Sequence, residues 1–167
     1  MSSSITSDTI PALRDPITRR ILAILSRDGR ASYQAIADAV GLSRPAVMER
    51  VRRLEEAGYI TAYRAVLDRR RLGRAVTAFV AVRYPASDHP GTHPQITALA
   101  QHPDVLEAHH VAGEDCYLLK VAAPSLERLE QVIHSLRTPG VPMSTRTTIV
   151  LSTVFEKPDV DIPEEES

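Results

Sequence analysis

Arginines are concentrated in one predicted helix, at a spacing that suits contact with a negatively charged polymer. The helix begins after Ser43 and carries Arg44, Arg50, Arg52 and Arg53. A guanidinium group forms paired hydrogen bonds with phosphate oxygens and with guanine edges. The serine hydroxyl can accept from backbone N–H groups in the first turn and so fixes where the helix starts. The residue types therefore point to DNA contact, with an ordinary solvated helix face as the alternative.

The apolar residues of this helix define the side that faces the protein core. Val47, Val51 and Leu54 follow at i, i+4 and i+7, which predicts one inward stripe. Arg50 flanks the stripe, where it can pair with a neighbour of Glu49 or with an acid of the first helix instead of contacting DNA. The remaining side is predicted to face water or DNA, and it carries Arg44, Pro45, Met48, Glu49, Arg52 and Arg53.

Two further helices are predicted before the arginine-rich one. Asp15, followed by proline, opens the first helix, and Asp28-Gly29-Arg30 ends it, with the glycine free to turn left-handed. Ser32 caps the second helix, and Gly41-Leu42-Ser43 makes a tight turn to the third. Two short helices joined by such a turn predict a helix-turn-helix, which places its second helix in the DNA major groove.

The candidate DNA-binding residues divide by role. Arg44, Pro45 and Met48 are predicted to reach base edges, with arginine on guanine and the apolar groups on thymine methyls. Arg52 and Arg53 are predicted to meet phosphates. Hydroxyls and N–H groups at the start of the second helix can also hold phosphate. The set is Ser32, Tyr33, Gln34, Ser43, Arg44, Pro45, Met48, Arg52 and Arg53.

Composition limits the classes of protein that this chain can be. The 167 residues are 43% hydrophobic, which predicts folded cores in one or two domains. Residues 1–72 carry 13 Arg and 8 acids, whereas residues 73–167 carry 7 basic and 13 acidic groups. This asymmetry predicts a nucleic-acid face on the first part only. The single Cys116, no apolar run of about 20 residues and no secretory signal predict a cytoplasmic protein without a membrane partner.

The second half alternates strand and helix patterns. Residues 59–67 alternate apolar and polar side chains and are predicted to form a linker strand. Strands are then predicted at 75–82, 105–112, 117–122 and 147–155, with helices near 96–100 and after Ser125. This βαββαβ order is the ferredoxin-like arrangement. Its second sheet face needs cover, and another subunit related by a two-fold axis is expected to supply it through Val80, Val82, Leu118, Val150 and Val154.

Other chemistry receives little support from the sequence. His89 and His93 lie in a proline-rich loop, and no further residues complete a tetrahedral metal set. The rings of His109 and His110 are predicted to point to opposite faces of a strand, one packed and one near the following loop. Cys116 as a nucleophile would need a base, so a buried spectator thiol is expected. No nucleotide-binding motif is present. We therefore predict that the chain binds no metal or cofactor and is not an enzyme.

Several ordered motifs carry a resemblance to a known family. They are Asp28-Gly29-Arg30, Ile36-Ala37, Gly41-Leu42-Ser43, Arg50-Val51-Glu55, Gly58-Ile60, Tyr63 and Leu72-Gly73. In this order and spacing the chain resembles the Lrp/AsnC (leucine-responsive, feast/famine) transcriptional regulators, over roughly residues 14 to 156. The sequence departs from the family pattern at Ala62, where glycine is usual, and at Thr18, where an acid is common.

The resemblance also implies a small-molecule site. Residues 111–118 and 145–150 resemble the family's ligand-sensing domain, in which a Gly-acid-x-Asp-Tyr loop lies between dimers and can bind an amino acid. Cys116 replaces the second acid of that loop. Glycine N–H groups suit a carboxylate, and an acid suits an ammonium group. The candidate set is His110, Val111, Gly113, Glu114, Asp115, Cys116, Thr147 and Thr148, and the alternative is a plain hairpin turn with exposed acids.

The predicted fold is α+β, with an N-terminal helix-turn-helix joined by a strand linker to a ferredoxin-like βαββαβ domain for ligand sensing and oligomerisation. The predicted segments are a flexible start at 1–13, the DNA-binding domain at 14–60, the linker at 61–73, the sensing domain at 74–156 and an acidic tail at 157–167.

The predicted function is sequence-specific regulation of transcription, modulated by a small metabolite, in particular an amino acid. The expected partners are double-stranded DNA and further copies of the chain, as a homodimer and, by resemblance, a tetramer or octamer. The alternatives are an architectural DNA-binding protein without a ligand and a small metabolite-binding enzyme with a DNA-binding appendage.

Overall fold

The computed structural model describes residues 11–85, 94–137, 143–157 and residue 162. The chain forms two compact units, one of Met1–Ala65 with Glu156–Ser167 and the other of Val66–Phe155. Each unit has its own cluster of buried apolar side chains. The segment boundaries given by the sequence patterns remain predictions. Among the described residues, no helix has the length and apolar character needed to cross a membrane.

The first unit is the predicted helix-turn-helix. A short 3-10 helix, Pro11–Arg14, precedes α1 (Pro16–Arg27), α2 (Tyr33–Val40) and α3 (Arg44–Glu56). Its core is fully buried and draws on all three α-helices through Ile21, Ile36, Val47 and Val51. The inward stripe of α3 is therefore confirmed, and burial of apolar surface rather than helix propensity holds the three short helices together.

The predicted caps set where these helices begin. Asp15 accepts from the N–H of Ile17, Ser32 from that of Ala35 and Ser43 from that of Ala46. Gly41 adopts a φ of 70°, in the left-handed region, and so ends α2 abruptly. A residue with a Cβ would be strained there, which is why glycine suits the tight turn that leads into α3.

The predicted left-handed turn at Gly29 is wrong. Among the described glycines only Gly41, Gly58, Gly73 and Gly113 have positive φ values. Asp28 closes the end of α1 instead, because its side chain accepts from the N–H of Arg30 at 2.9 Å and its carbonyl accepts from Ala31 at 3.1 Å. A side-chain turn of this kind satisfies the helix end without a special backbone angle.

Asp15 also ties α1 to α3. Its carboxylate accepts from the Thr18 hydroxyl at 2.7 Å and pairs with Arg50, whose guanidinium also donates to Thr18. Arg50 therefore pairs with an acid at the start of the first helix. This pairing is the alternative to DNA contact that the sequence left open for Arg50. The hydrogen bond from Thr18, followed by the Ile17 N–H and Arg50, outweighs burial and lowers the pKa of Asp15.

Replacing Asp15 by alanine is expected to lower the free energy of unfolding by about 1–2 kcal/mol at neutral pH, the usual cost of losing an N-cap. Because the folded pKa lies below the unfolded value, this stabilisation is present above about pH 4 and declines as the pH falls through the folded pKa. Urea unfolding at pH 7 and at pH 3 measures the difference. Asp38→Ala, which removes an exposed acid from α2, is the control, and equal losses in both variants would contradict the assignment.

Within the single chain, residues 59–67 do not form the predicted linker strand. The structure shows no strand in this stretch, and residues 61–67 are exposed. A strand needs a neighbouring strand to satisfy its backbone groups, and no described segment of the chain pairs with it. Tyr63 instead donates its hydroxyl to Glu55 on α3 at 2.9 Å.

The second unit is a four-stranded sheet with helices on one face. Its elements are β1 (Val76–Arg83), α4 (Pro94–Ala98) continued by a 3-10 helix (Leu99–Gln101), β2 (Val105–His110), β3 (Tyr117–Ala123), α5 (Leu126–Ser135) and β4 (Ser144–Ile149). The strand order is β2-β3-β1-β4, and every neighbouring pair is antiparallel. The predicted ferredoxin-like βαββαβ arrangement is confirmed.

The last strand lies earlier in the chain than the predicted 147–155. Ser144 pairs with Arg83 at one end of the β1–β4 ladder and Ile149 pairs with Ala78 at the other. One further hydrogen bond joins the N–H of Val150 to the carbonyl of Thr77, and residues 151–157 form no strand. Hydrophobic residues beyond this point therefore stay exposed, such as Leu151 at 93%.

The assignment of sheet faces requires a correction. Val80 and Val82 are fully buried in the cluster that includes Leu129 and Val132, so they lie on the helix-covered face and not on the open one. Side chains alternate along a strand, which places Phe79 and, through the β1–β3 register, Leu118 on the opposite face. Val150 and Val154 follow β4 rather than forming part of it.

Candidate functional site

The start of α3 presents an exposed surface. Arg44, Pro45 and Met48 are all exposed, Met48 to 44%, while Val47 and Val51 between and after them point into the core. Ser43 fixes the helix start with a side-chain hydrogen bond to the N–H of Ala46 at 3.4 Å. The structure thus brings together the three residues that were predicted to reach base edges.

The beginning of α2 lies next to this surface. A groove of about 420 Å³ is lined by Leu25, Gly29, Arg30, Ala31, Ser32, Tyr33, Gln34, Arg44 and Tyr63. The predicted phosphate-binding residues at 32–34 therefore share one groove with Arg44. The N-terminal end of a helix carries a partial positive charge, so this groove combines a helix dipole with two guanidinium groups. The charge of the groove is of the sign that an anionic group such as phosphate needs.

Arg52 and Arg53 are engaged in ion pairs along α3 itself. Arg52 bonds both carboxylate oxygens of Glu49, at 2.7 and 2.9 Å, and also pairs with Glu56. Arg53 donates through Nε to Glu49 at 2.8 Å. These hydrogen bonds lower the pKa of Glu49 to about 2. The acid that holds both arginines was absent from the candidate set, although its i+3 and i+4 spacing from them was visible in the sequence.

The loop between β2 and β3, residues 111–116, holds five of the candidate effector residues. Gly113 has a φ of 138° and is exposed, as is Glu114. Asp115 pairs with Arg146 of β4 at 2.7 Å. The sequence patterns did not single out Arg146, because residues 115 and 146 are brought together only by the sheet. Cys116 is buried, as expected for a spectator thiol.

The residues flanking this loop complete the hairpin. The N–H of Val111 donates to the carbonyl of Cys116 at 3.0 Å, and the His110 ring lies 5.1 Å from that of Tyr117. His109 and His110 are both exposed, so neither is buried, and within the described part of the chain only the His110 ring packs against a neighbouring ring.

Thr147 and Thr148 do not share one face of the sheet. Thr147 pairs with Val80 and Thr148 with Phe79, so their side chains point to opposite faces of the sheet. Strands β1 and β3 lie between β4 and β2. At most one of the two hydroxyls can therefore face a ligand bound on a given side of the sheet.

A metal site needs several potential ligands close together. Within residues 11–85, 94–137 and 143–157, no group of three or more potential metal ligands occurs. The predicted pair His89 and His93 lies outside the described residues.

Two family models match the chain, one for each unit of the fold. A model described as winged helix-turn-helix DNA-binding matches residues 14–61. A model described as the Lrp/AsnC ligand binding domain matches residues 77–160.

Individual relatives span nearly the same length. The HTH-type transcriptional regulator LrpA of Mycobacterium tuberculosis is 36% identical over 84% of this chain and 92% of its own. The leucine-responsive regulatory protein of Escherichia coli is 36% identical over 84% and 86%. The structure of a feast or famine regulatory protein of M. tuberculosis complexed with L-methionine has a TM-score of 0.79 at 35% identity, covering 89% and 99%. Both models and these relatives show that the chain belongs to the Lrp/AsnC family of DNA-binding transcriptional regulators.

Proposed function

We propose that this chain regulates transcription by reading a specific DNA sequence with the start of α3, and that an amino acid bound to its second unit modulates the affinity for DNA. The proposal that α3 reads DNA rests on one observation. The apolar stripe of α3 is buried while Arg44, Pro45 and Met48 stand exposed beside the start of α2. A helix that is fixed on one side and bare on the other fits a major groove about 12 Å wide.

DNA contact divides into base reading and phosphate contact. Arg44 is proposed to pair with guanine, and Pro45 and Met48 to contact thymine methyl groups. Ser32, Tyr33 and Gln34 are proposed to position a phosphate in the adjoining groove, together with Ser43 at the start of α3. Arg52 and Arg53 are proposed to meet phosphates after leaving their acidic partners.

The amino-acid effector is proposed from three features of the second unit. This unit matches a ligand-binding domain, and a relative has been captured with L-methionine. The β2–β3 loop offers a glycine backbone at Gly113 for a carboxylate and two acids, Glu114 and Asp115, for an ammonium group. His110, Val111 and Cys116 shape the hairpin around them, and Thr147 or Thr148 supplies a hydroxyl, with no metal or cofactor required.

Linkage between ligand binding and assembly is the proposed mechanism. Exposed apolar side chains on the second unit, such as Leu106, Ile149, Leu151 and Val154, favour association with further copies as a homodimer and higher multiples. A ligand bound between dimers would shift the balance of assemblies and hence the spacing of the α3 helices. Spacing sets the affinity for paired half-sites. A cytoplasmic location remains the prediction.

Addition of the cognate amino acid is expected to change both the size of the assembly and the affinity for a specific duplex. Light scattering after size exclusion measures the first, and duplex titration measures the second, for each of the 20 amino acids. Because a ligand of the folded state raises apparent stability, a thermal-shift screen identifies candidates for these titrations. Unchanged assembly and unchanged affinity with all 20 would overturn the effector proposal.

A ligand-independent architectural DNA-binding protein is the second candidate, since phosphate contact alone would serve it. It would bind specific and random duplexes with similar affinity, whereas a sequence-specific regulator separates them by about 10³-fold or more. Competition between a selected duplex and a scrambled one, at a stated salt concentration, distinguishes the two.

A further inference from the structure

Glu49 lies within the exposed flank of α3, one residue after Met48. Its two carboxylate oxygens bond three guanidinium nitrogens, two of Arg52 and one of Arg53, at 2.7 to 2.9 Å. Glu56 adds a second acid to Arg52. In the second half of the helix, the positive charges of these two arginines are therefore balanced by the negative charges of these two acids.

The first half of the same helix is different. Arg44 takes part in no ion pair within the described part of the chain, so its guanidinium can meet a base edge directly. Arg52 must instead give up a two-point contact with a carboxylate before it binds phosphate. Such charge-assisted, bidentate bonds are stronger than neutral ones, and their loss subtracts from the gain on DNA.

We propose that Glu49 is a positioning residue that limits sequence-independent DNA affinity by holding Arg52 and Arg53 away from phosphates. This inference rests on the proposed function and names the residue that limits phosphate contact by the proposed DNA-binding surface. Glu49 is also an acid on the surface facing a polyanion, so it repels phosphate as well as competing with it. The low pKa of about 2 keeps this carboxylate charged at neutral pH. When a regulator binds random sequence weakly, a smaller share of its molecules is occupied by the many non-specific sites of a genome.

Replacement of Glu49 by glutamine keeps the shape of the side chain and removes its charge. Glu49→Gln is expected to tighten binding of the full-length chain to a random duplex about fivefold at low salt, because two surface ion pairs no longer compete. Two additional phosphate contacts should also steepen the slope of log K against log salt by up to about 1.8. The slope is the decisive readout, since a purely structural role would leave it unchanged.

Glu55→Gln is the matched control, because it removes the same charge from the same helix while Glu55 bonds Tyr63 rather than an arginine. In an Arg52→Ala, Arg53→Ala background, Glu49→Gln should gain no more than this control. Glu49→Ala serves as a second variant, and thermal unfolding checks that each variant is folded. A salt slope for Glu49→Gln equal to those of wild type and Glu55→Gln would overturn the inference. Failure of the wild-type chain to bind any duplex would instead overturn the proposed function.

Discussion

Replacement of Arg44 by alanine is expected to remove much of the preference for a specific duplex over a random one. The loss should be about 1–3 kcal/mol for the specific duplex, the usual value of one bidentate arginine–guanine pair. Random duplexes should lose much less. Arg44 is exposed at the first position of α3, and no described acid holds it in place, so its effect should fall on base reading rather than on folding.

Arg52→Ala provides the comparison on the same helix. This variant should weaken all duplexes alike, because Arg52 is proposed to contact phosphate, and its effect on the salt slope should appear mainly once Glu49→Gln has released the guanidinium. Its loss should be small in the wild-type background, where Glu49 and Glu56 already bind the guanidinium, and larger after Glu49→Gln. Competition titration of both variants against specific and scrambled duplexes makes the measurement. Unchanged preference in Arg44→Ala would show that the face of α3 has been assigned incorrectly.

Replacement of Asp104 by alanine is expected to destabilise the second unit by about 2–3 kcal/mol. Asp104 is completely buried, and its carboxylate pairs with Arg74 just before β1 and with Arg128 on α5 at 2.7 Å. Removal of one member of a buried ion pair typically costs 3–5 kcal/mol. The expected value is lower because the side chains of Arg74 and Arg128 are 35% and 39% exposed and can regain water.

Urea unfolding of Asp104→Ala, with Asp104→Asn beside it, measures this loss. Asparagine keeps the side-chain size and part of the hydrogen bonding, so its loss should be the smaller one. Asp68→Ala is the control, since Asp68 is an exposed acid that accepts from the backbone N–H groups of Arg70 and Arg71 in a surface turn. A loss for Asp104→Ala within about 0.5 kcal/mol of wild type, as at an ordinary surface position, would contradict the anchoring role.

Local features of the DNA-binding unit could be read from the sequence. Caps such as Ser32 and Ser43 act within three residues, and the stripe of Val47, Val51 and Leu54 follows directly from helical geometry. The ion pairs of Glu49 are equally local and could have been predicted from the i+3 and i+4 rule. The candidate set included Arg52 and Arg53 but not Glu49, the acid that pairs with both.

Features that depend on contacts between distant residues could not be predicted in this way. The pairing of Asp104 with Arg74 and Arg128, and of Asp115 with Arg146, depends on sheet register and helix packing. The faces of the sheet were misassigned at Val80 and Val82 because an apolar run gives no alternation from which to choose a side. Strand β4 ends at Ile149, opposite Ala78, although the apolar pattern of the sequence continues to Phe155.

Site-specific photo-crosslinking tests most directly the claim that the exposed flank of α3 lies against DNA bases. A photoreactive amino acid in place of Met48 is expected to form crosslinks to bases of a bound specific duplex. The same group in place of Gln131, an exposed residue of α5 in the second unit, should form none. Crosslinks from position 131 but not from position 48 would place DNA on another surface and contradict the account.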